Sequence, residues 1–498
     1  MRWWAWLLVV AAAIVAPSVV LGPGPSHSGN YNFVWTSQFG DAIRSGIFYP
    51  RWLPHSFEGL GSPTFFFYPP IAYWISGGFN ALGLPVLQAI NAAAFLMLFL
   101  SGVTMHWWLK ERSAYPLLGA ICYMVAPYHL LDFGVRGALA EFASFIWLPL
   151  IAMGIEWLPR RKGVLLLGLS FAALILTHLP MATLAGVFLI APLVLWRART
   201  ERVILIPAIG AGLLAMGLAA FYLLPAMTLQ RYIWADALWR PYFNPAQWNF
   251  FWRPDPTLGN LQLLGLGLIA LAIPARSRWT TITACTSIAA IGVVPFLWLL
   301  PPLDKVQFPW RLLGVTEFAA VTALFTSRFK VRPIFLAVGL AMLAVPYVLL
   351  VQQVARQLKE KPDYSLLATH MPEPLEYLPG GYFDSSLVNR ESHVLNLEAF
   401  KTLPRGRIVK VDRPGIVTLG RWAFPIWGVE RDGKAVPSTG PLIHFRAEPG
   451  TYRVVRIWLW PEIVGAALSA AALLVALSLL WRRRDAVQMT SPVNALGA

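Results

Sequence analysis

The sequence predicts an all-α polytopic membrane protein of about twelve transmembrane helices, with a small extracytoplasmic β-sandwich near the C-terminus. Three observations predict it. Of 498 residues, 57% are hydrophobic and only 13% are charged. Apolar runs near the ~20 residues a bilayer requires recur along most of the chain. Basic residues gather in short clusters between those runs: Lys110/Arg112, Arg160–Lys162, Arg197/Arg199/Arg202, Arg276/Arg278, Arg328/Lys330/Arg332 and Arg482–Arg484. A net charge of +16 invites a nucleic-acid reading. Clusters placed this way are instead a topology signal, the excess of Lys and Arg in cytoplasmic loops.

Taken in order, the first span is Trp3–Leu21, with Arg2 cytoplasmic. It shows no clear small-residue cleavage site and reads as an anchor, not a signal peptide. Further spans are expected at about 86–108, 115–131, 139–157, 163–178, 180–196, 203–224, 258–274, 279–300, 309–326, 333–351 and 460–481. Twelve spans put every basic cluster on one side and both termini in the cytoplasm. Counting Phe65–Gly83 as a thirteenth would move Lys110 and Arg112 outside, so that segment is expected to lie on the outer face, begun by Pro69-Pro70. Residues 1–351 form the membrane domain, with its first outer loop at 22–85. Residues 352–459 form an outer domain, and 460–498 the last span and a basic tail. In the outer domain, Ile408–Val411, Ile416–Leu419, Leu442–Phe445 and Tyr452–Ile457 alternate with turn signals, including Asp432-Gly433. That pattern fits a small antiparallel sandwich. Cys122 and Cys285 fall within predicted spans and suggest neither a disulfide nor a metal set. His370 and His444 stand alone. No internal repeat supports a transporter built from two symmetric halves.

The first outer loop, Asn32–Trp74, is too broken by Pro and Gly to span a bilayer and too aromatic to be a solvated linker. It suits a surface at the membrane boundary that handles a substrate part lipid and part polar. Its carboxylates are Asp41 and Glu58, accompanied by Arg44, Arg51 and His55. Either acid could accept a proton from a hydroxyl, or hold a divalent cation (Mg or Mn) beside a phosphate. Each could equally be a solvated loop charge. Glu141 lies at the outer end of a span, five residues after Arg136, where a functional role and a structural ion pair both fit. Glu317 lies mid-span and needs a partner or a neutral state; a structural role is expected. Glu156, beside a basic cluster, is expected in a local ion pair. Arg51, Arg136, His178, Arg231, Lys305 and Arg311 are candidate phosphate contacts, since Arg matches phosphate geometry and Lys acts as a point charge. Cations at span ends also reach for lipid headgroups without further function.

A long outer loop with acidic residues, many spans and an outer β domain together resemble the GT-C superfamily of polytopic glycosyltransferases. More narrowly, Tyr49-Pro50-Arg51-Trp52-Leu53-Pro54, Gly61-Ser62-Pro63-Thr64-Phe65-Phe66-Phe67-Tyr68-Pro69-Pro70, Arg136-Gly137-Ala138-Leu139-Ala140-Glu141-Phe142 and Phe308-Pro309-Trp310-Arg311 resemble bacterial membrane proteins labelled 6-pyruvoyl-tetrahydropterin-synthase-related. The resemblance implies sugar transfer from a polyprenyl-phosphate donor to an envelope lipid, glycan or protein, at the outer face of the bacterial inner (plasma) membrane. It implies an inverting reaction in which one of Asp41, Glu58 or Glu141 serves as catalytic base. Its partners would be the polyprenyl-phosphate lipid donor and membrane lipids, with no nucleic acid. This chain departs from that pattern at one point. Relatives carry His-Asp soon after the first span, where this chain reads His27-Ser28-Gly29-Asn30-Tyr31-Asn32 without a carboxylate. A lipid-linked saccharide transporter or flippase, or a non-catalytic scaffold of envelope polysaccharide assembly, is the alternative.

Overall fold

The structure is a computed structural model that describes residues 2–239, 243–253, 260–327, 333–360, 364, 367, 371–379 and 402–488. The cluster Arg328/Lys330/Arg332 and His370 lie outside the described residues. Among those described, seven helical segments are long and apolar enough to cross a membrane. They are Trp3–Leu21, Val86–Leu109, Pro116–Arg136, Leu139–Glu156, Leu179–Ala198, Pro333–Gln357 and Trp460–Trp481. An eighth forms if Arg202–Leu218 and Ala220–Thr228, bent by 71° at Ala219, count as one span. The protein is therefore a multi-pass membrane protein. The four other expected spans hold shorter helices. Arg161–Thr177 has 17 residues, Leu261–Ala272 has 12, Arg278–Ala290 has 13 and Leu313–Thr326 has 14. At ~1.5 Å per residue, fourteen residues reach only about 21 Å of a core ~30 Å thick. In the 279–300 segment the helix stops before Gly292 (φ 81°) and gives way to a 3₁₀ turn at Pro295.

Helices α1 (Trp3–Leu21), α2 (Gly29–Arg44), α3 (Ile71–Ala81), α4 (Val86–Leu109) and α5 (Pro116–Met124) form the first half of the bundle. The loop helices α2 and α3 pack closely: a Cβ on Gly77 would stand 2.4 Å from the Cβ of Phe39. Pro70 caps α3, which has 11 residues and is too short to span. Trp35, Phe39, Phe65, Tyr68 and Tyr73 interlock beneath them at centroid separations of 4.5–6.2 Å. The loop's aromatic content is thus the core of a folded cap.

After α5, the chain runs through α6 (Pro127–Leu131) into a π-helical turn, Asp132–Arg136, then α7 (Leu139–Ser144) and α8 (Trp147–Glu156). Gly137 sits between them with φ 60°, and a Cβ there would fall 2.3 Å from Ser26 Oγ. The basic ends of several helices meet at Glu156, which takes Arg112 and, at 2.7 Å, Arg278, while Arg197 bonds its backbone carbonyl. These arginines come from three separate connections and share one end of the bundle.

Mid-bundle, Glu317 accepts the backbone N–H groups of Tyr128 at 2.7 Å and His129 at 3.1 Å. A helix start such as that of α6 leaves N–H donors without intrahelical partners, and Glu317 supplies them from a distant helix. The structural role expected of this residue is the one observed.

Among the described residues, the C-terminal region holds six strands. β1 (Ile408–Val411), β6 (Gly450–Arg456), β3 (Trp427–Arg431) and β4 (Lys434–Val436) form one antiparallel sheet in that order. β2 (Gly415–Trp422) pairs with β5 (Leu442–Ala447) in a second. Val409, Leu419, Val429, Phe445 and Tyr452 pack between them. Asp432 and Gly433 both have positive φ, 50° and 73°, as a tight two-residue hairpin between β3 and β4 requires. Trp427–Arg431 and Lys434–Val436 were not among the strands expected from sequence, because Trp427-Gly428 and the flanking charges mask their alternation.

Removing the Glu317 acceptor leaves two buried N–H groups unmet, each costing about 1–3 kcal/mol. Glu317→Ala should lower the thermal unfolding midpoint in detergent markedly. Glu317→Gln, which keeps one carbonyl oxygen, should fall between it and the parent.

Candidate functional site

The densest group of buried polar side chains surrounds Glu141. Its carboxylate accepts from Tyr128 Oη at 2.6 Å and Arg311 Nε at 3.1 Å, and lies 2.9 Å from Arg136 Nη1. His178 Nε2 stands 4.0 Å away, while its Nδ1 accepts the Met181 N–H at 3.3 Å. Arg136 Nη1 also bonds Asp132 and Tyr128. Arg311 Nη1 is anchored on the Val306 carbonyl at 2.8 Å and Gln307 at 3.1 Å. Local structure explains the convergence. The π-turn directs Asp132 and Arg136 to one face, the left-handed Gly137 reverses the chain, and α7 then presents Glu141 back to Arg136. Arg311 arrives on a 3₁₀ turn opened by Pro309.

Both arginines keep free donors. Arg136 Nε and Nη2, and Arg311 Nη2, make no hydrogen bond to another described residue. Arg136 thus keeps its Nε–Nη2 edge, and Arg311 its Nη2 nitrogen, able to meet a phosphate oxygen. Tyr68 and His27 lie close enough to feel these charges: burial, then Arg136, pushes the His27 imidazole below its ordinary range.

The site therefore joins four of the candidate residues: Arg136, Glu141, His178 and Arg311. The others lie elsewhere. Asp41 is exposed and paired with Arg44 at 2.5 Å. Arg51 bonds the Phe221 carbonyl at 2.7 Å, stacks on Tyr49 and lies 3.8 Å from Glu462, which Arg456 also holds at 2.6 Å. It thus fastens the first loop to the last span. Arg231 lies over the Tyr232 ring, and Lys305 pairs with Asp304 at 3.0 Å. Glu58 is half-buried in a turn where Phe57 (φ 48°), Glu58 (φ 56°) and Gly59 (φ 87°) are all left-handed. Two consecutive non-glycine residues in that region store strain of about 1–3 kcal/mol each, which characteristically occurs at functional positions.

Three contributors were missed from sequence. Asp132 stands four residues before Arg136 at a span end, a readable ion-pair spacing. Tyr128 gave no signal beyond its aromatic character. Glu373 gave none at all. It lies in the C-terminal region yet is buried beneath the first loop, accepting from Trp35 Nε1 at 2.9 Å, Ser56 Oγ at 2.5 Å and Thr64 Oγ1 at 2.8 Å. Among the described residues no cation pairs with it, and burial pushes its carboxyl up to about 7. The turn that carries Glu58 is thereby tied to the C-terminal region through Ser56.

Among the described residues, no three His, Cys, Asp or Glu side chains converge on a metal position. Asp41 has Arg44 as its partner and faces solvent, so the donor set at that residue does not fit a resident divalent cation.

No protein-family profile matches the sequence, and no characterised protein is similar enough in sequence to match it. One solved structure that aligns is the cryo-EM structure of the arabinofuranosyltransferase AftD from Mycobacteria, at 15% identity and a TM-score of 0.41. The alignment covers 74% of this chain and 29% of that one, so the chain spans less than a third of its length. Likeness at that level defines neither a shared fold nor a shared activity.

Glu141→Ala strands two buried arginines and should destabilise the fold by about 3–5 kcal/mol. Asp41→Asn, at an exposed pair, should change stability by less than about 1 kcal/mol. Thermal melts in detergent compare the two. Glu373 predicts a pH dependence. Its folded value of about 7 exceeds the ordinary 4.5, so the folded state retains a proton that the unfolded chain releases. Stability is then highest below about 4.5, falls as pH rises toward about 7, and levels off above. Glu376, also pushed up to about 7 by burial, acts in the same window. The melting midpoint should follow this course, and Glu373→Gln should flatten it in part.

Proposed function

We propose that the protein is a glycosyltransferase that moves a sugar from a polyprenyl-phosphate-linked donor to an envelope acceptor at the outer face of the inner membrane. The observation that carries this reading is the buried pair Arg136 and Arg311, both held by Glu141 and each keeping donor nitrogens that bond no other described residue. Preset cations in a water-poor setting stabilise charge that develops on a departing phosphate. The sugar chemistry comes from the resemblance to GT-C enzymes, and the narrower likeness to the pterin-synthase-labelled membrane proteins belongs to the same reading.

In the reaction, an acceptor hydroxyl oxygen bonds to the anomeric carbon of the donor sugar. The bond from that carbon to the phosphate oxygen breaks, and the polyprenyl phosphate leaves with the electron pair. The acceptor proton passes to a carboxylate. Glu141 is poorly suited to receive it, because both its oxygens are occupied; it is a positioning residue for the arginines. We assign the proton to Glu58 on one ground, the strained, half-buried turn that carries it, which Ser56 and Glu373 tie down. Arg136 and Arg311 take the leaving phosphate, and His178 lies beside them.

The test is incorporation of labelled sugar from polyprenyl-phosphate donors into membrane acceptors. Arg311→Ala should reduce it by about 10²–10³. Glu58→Gln should reduce it by about 10²–10⁴. Undiminished incorporation in both variants would end this assignment. Movement of a lipid-linked saccharide across the bilayer without transfer would favour a transporter.

A further inference from the structure

A cleft of about 390 Å³ opens between α1 and the long helix Pro333–Gln357. That volume falls among small-ligand sites, roughly 300–1,000 Å³. Helix α1 packs on α4 and α5, while Pro333–Gln357 packs on Leu261–Ala272, α6 and the π-turn. No extended packing joins the two, so the cleft is a lateral gap between apolar helices. Its walls are greasy for most of its length, with Ile14, Leu87, Phe133, Leu350 and Val354 among them. On the α1 side it runs from Ala13 to Ser26, from inside the span to the start of the first loop.

At the loop end the chain crosses itself. A Cβ on Gly24 would stand 2.4 Å from the Gln357 carbonyl group, so residue 24 must be glycine for the crossing to close the top of the cleft. Gln357 itself lines the cleft there, is only 8% exposed, and its side-chain oxygen has no hydrogen-bond partner among the described residues. Among the other polar groups of the lining, Asn32 is already occupied: it donates to the Gly137 carbonyl at 2.6 Å and accepts from Tyr73 Oη at 2.7 Å. A buried acceptor without a donor is unfavourable, and native structures rarely leave one without cause. Here it stands at the polar end of an apolar slot.

We propose that this cleft binds the apolar chain of a membrane amphiphile with a hydroxylated head, which enters sideways between α1 and Pro333–Gln357 and donates a hydroxyl to Gln357 Oε1. A carbonyl oxygen accepts hydrogen bonds and repels an anionic oxygen, so a sugar or polyol head suits this end better than a bare phosphate. The site stands independently of the transfer reading, and lipid binding here holds whether or not the chain moves a sugar.

The experiment uses the full chain in nanodiscs with two photoreactive probes of equal chain length, an alkyl glycoside and an alkyl phosphate, both carrying a diazirine in the chain. Cross-links are mapped by peptide mass spectrometry. The glycoside should label peptides containing Leu87 and Leu350. Gln357→Leu should cut glycoside labelling about tenfold, the effect of one lost hydrogen bond, and leave phosphate labelling unchanged. Val354→Trp, which fills the slot, should abolish labelling by both; a melt of each variant shows that it is folded. Labelling outside the cleft, or labelling indifferent to both substitutions, would overturn the site. Preferential labelling by the phosphate would overturn the head-group assignment. Sugar incorporation in the same nanodiscs bears on the transfer reading alone, so the two ideas fail separately.

Discussion

Two guanidinium groups removed from water are tolerable in this bundle because Glu141 lies between them. Taking a charge out of water costs several kcal/mol, and only close opposite charge with satisfied hydrogen bonds offsets it. Glu141 meets that demand for Arg136 and Arg311 together, with Tyr128 completing its shell. The rest follows from the need to bring these groups to one point. The π-turn, the left-handed Gly137 and the Pro309 turn are the local distortions that do so. The arginine donors left free by this arrangement are what give the site its capacity for an anion.

A second constraint joins the cap to the C-terminal region. Among the described residues, Glu373 is held by neutral donors, from Trp35, Ser56 and Thr64. Nearby, Arg51 links the same loop to Phe221 in the first turn of Ala220–Thr228 and to Glu462 at the head of the last span. The first loop is thus pinned at two places by residues far along the chain. A turn as strained as Phe57–Gly59 persists only when its surroundings over-determine it, and these pins supply that restraint.

Much of the architecture was legible in the sequence because a bilayer imposes a length and a polarity on whatever crosses it. The apolar runs located helices, and Asp432-Gly433 marked its hairpin. Helix length was less readable: the expected span 279–300 breaks where Gly292 and Pro295 interrupt hydrogen bonding, and hydropathy does not register that. The site was partly legible. Arg136 and Glu141 are five residues apart in one segment, and Arg311 follows a Pro-Trp turn. That Arg311 meets Glu141 is a tertiary fact, 170 positions apart. Glu373 was invisible for the same reason. A carboxylate in a loop announces nothing until its three donors arrive from elsewhere.

Those donors lie 309–338 positions ahead of Glu373 in the chain. At synthesis rates of about 5–20 residues per second, the first loop waits roughly 15–70 s for the residue that locks it. Throughout that interval its aromatic core must hold together without the lock, or a chaperone must hold it. Biogenesis, and not only activity, is therefore written into the position of one glutamate.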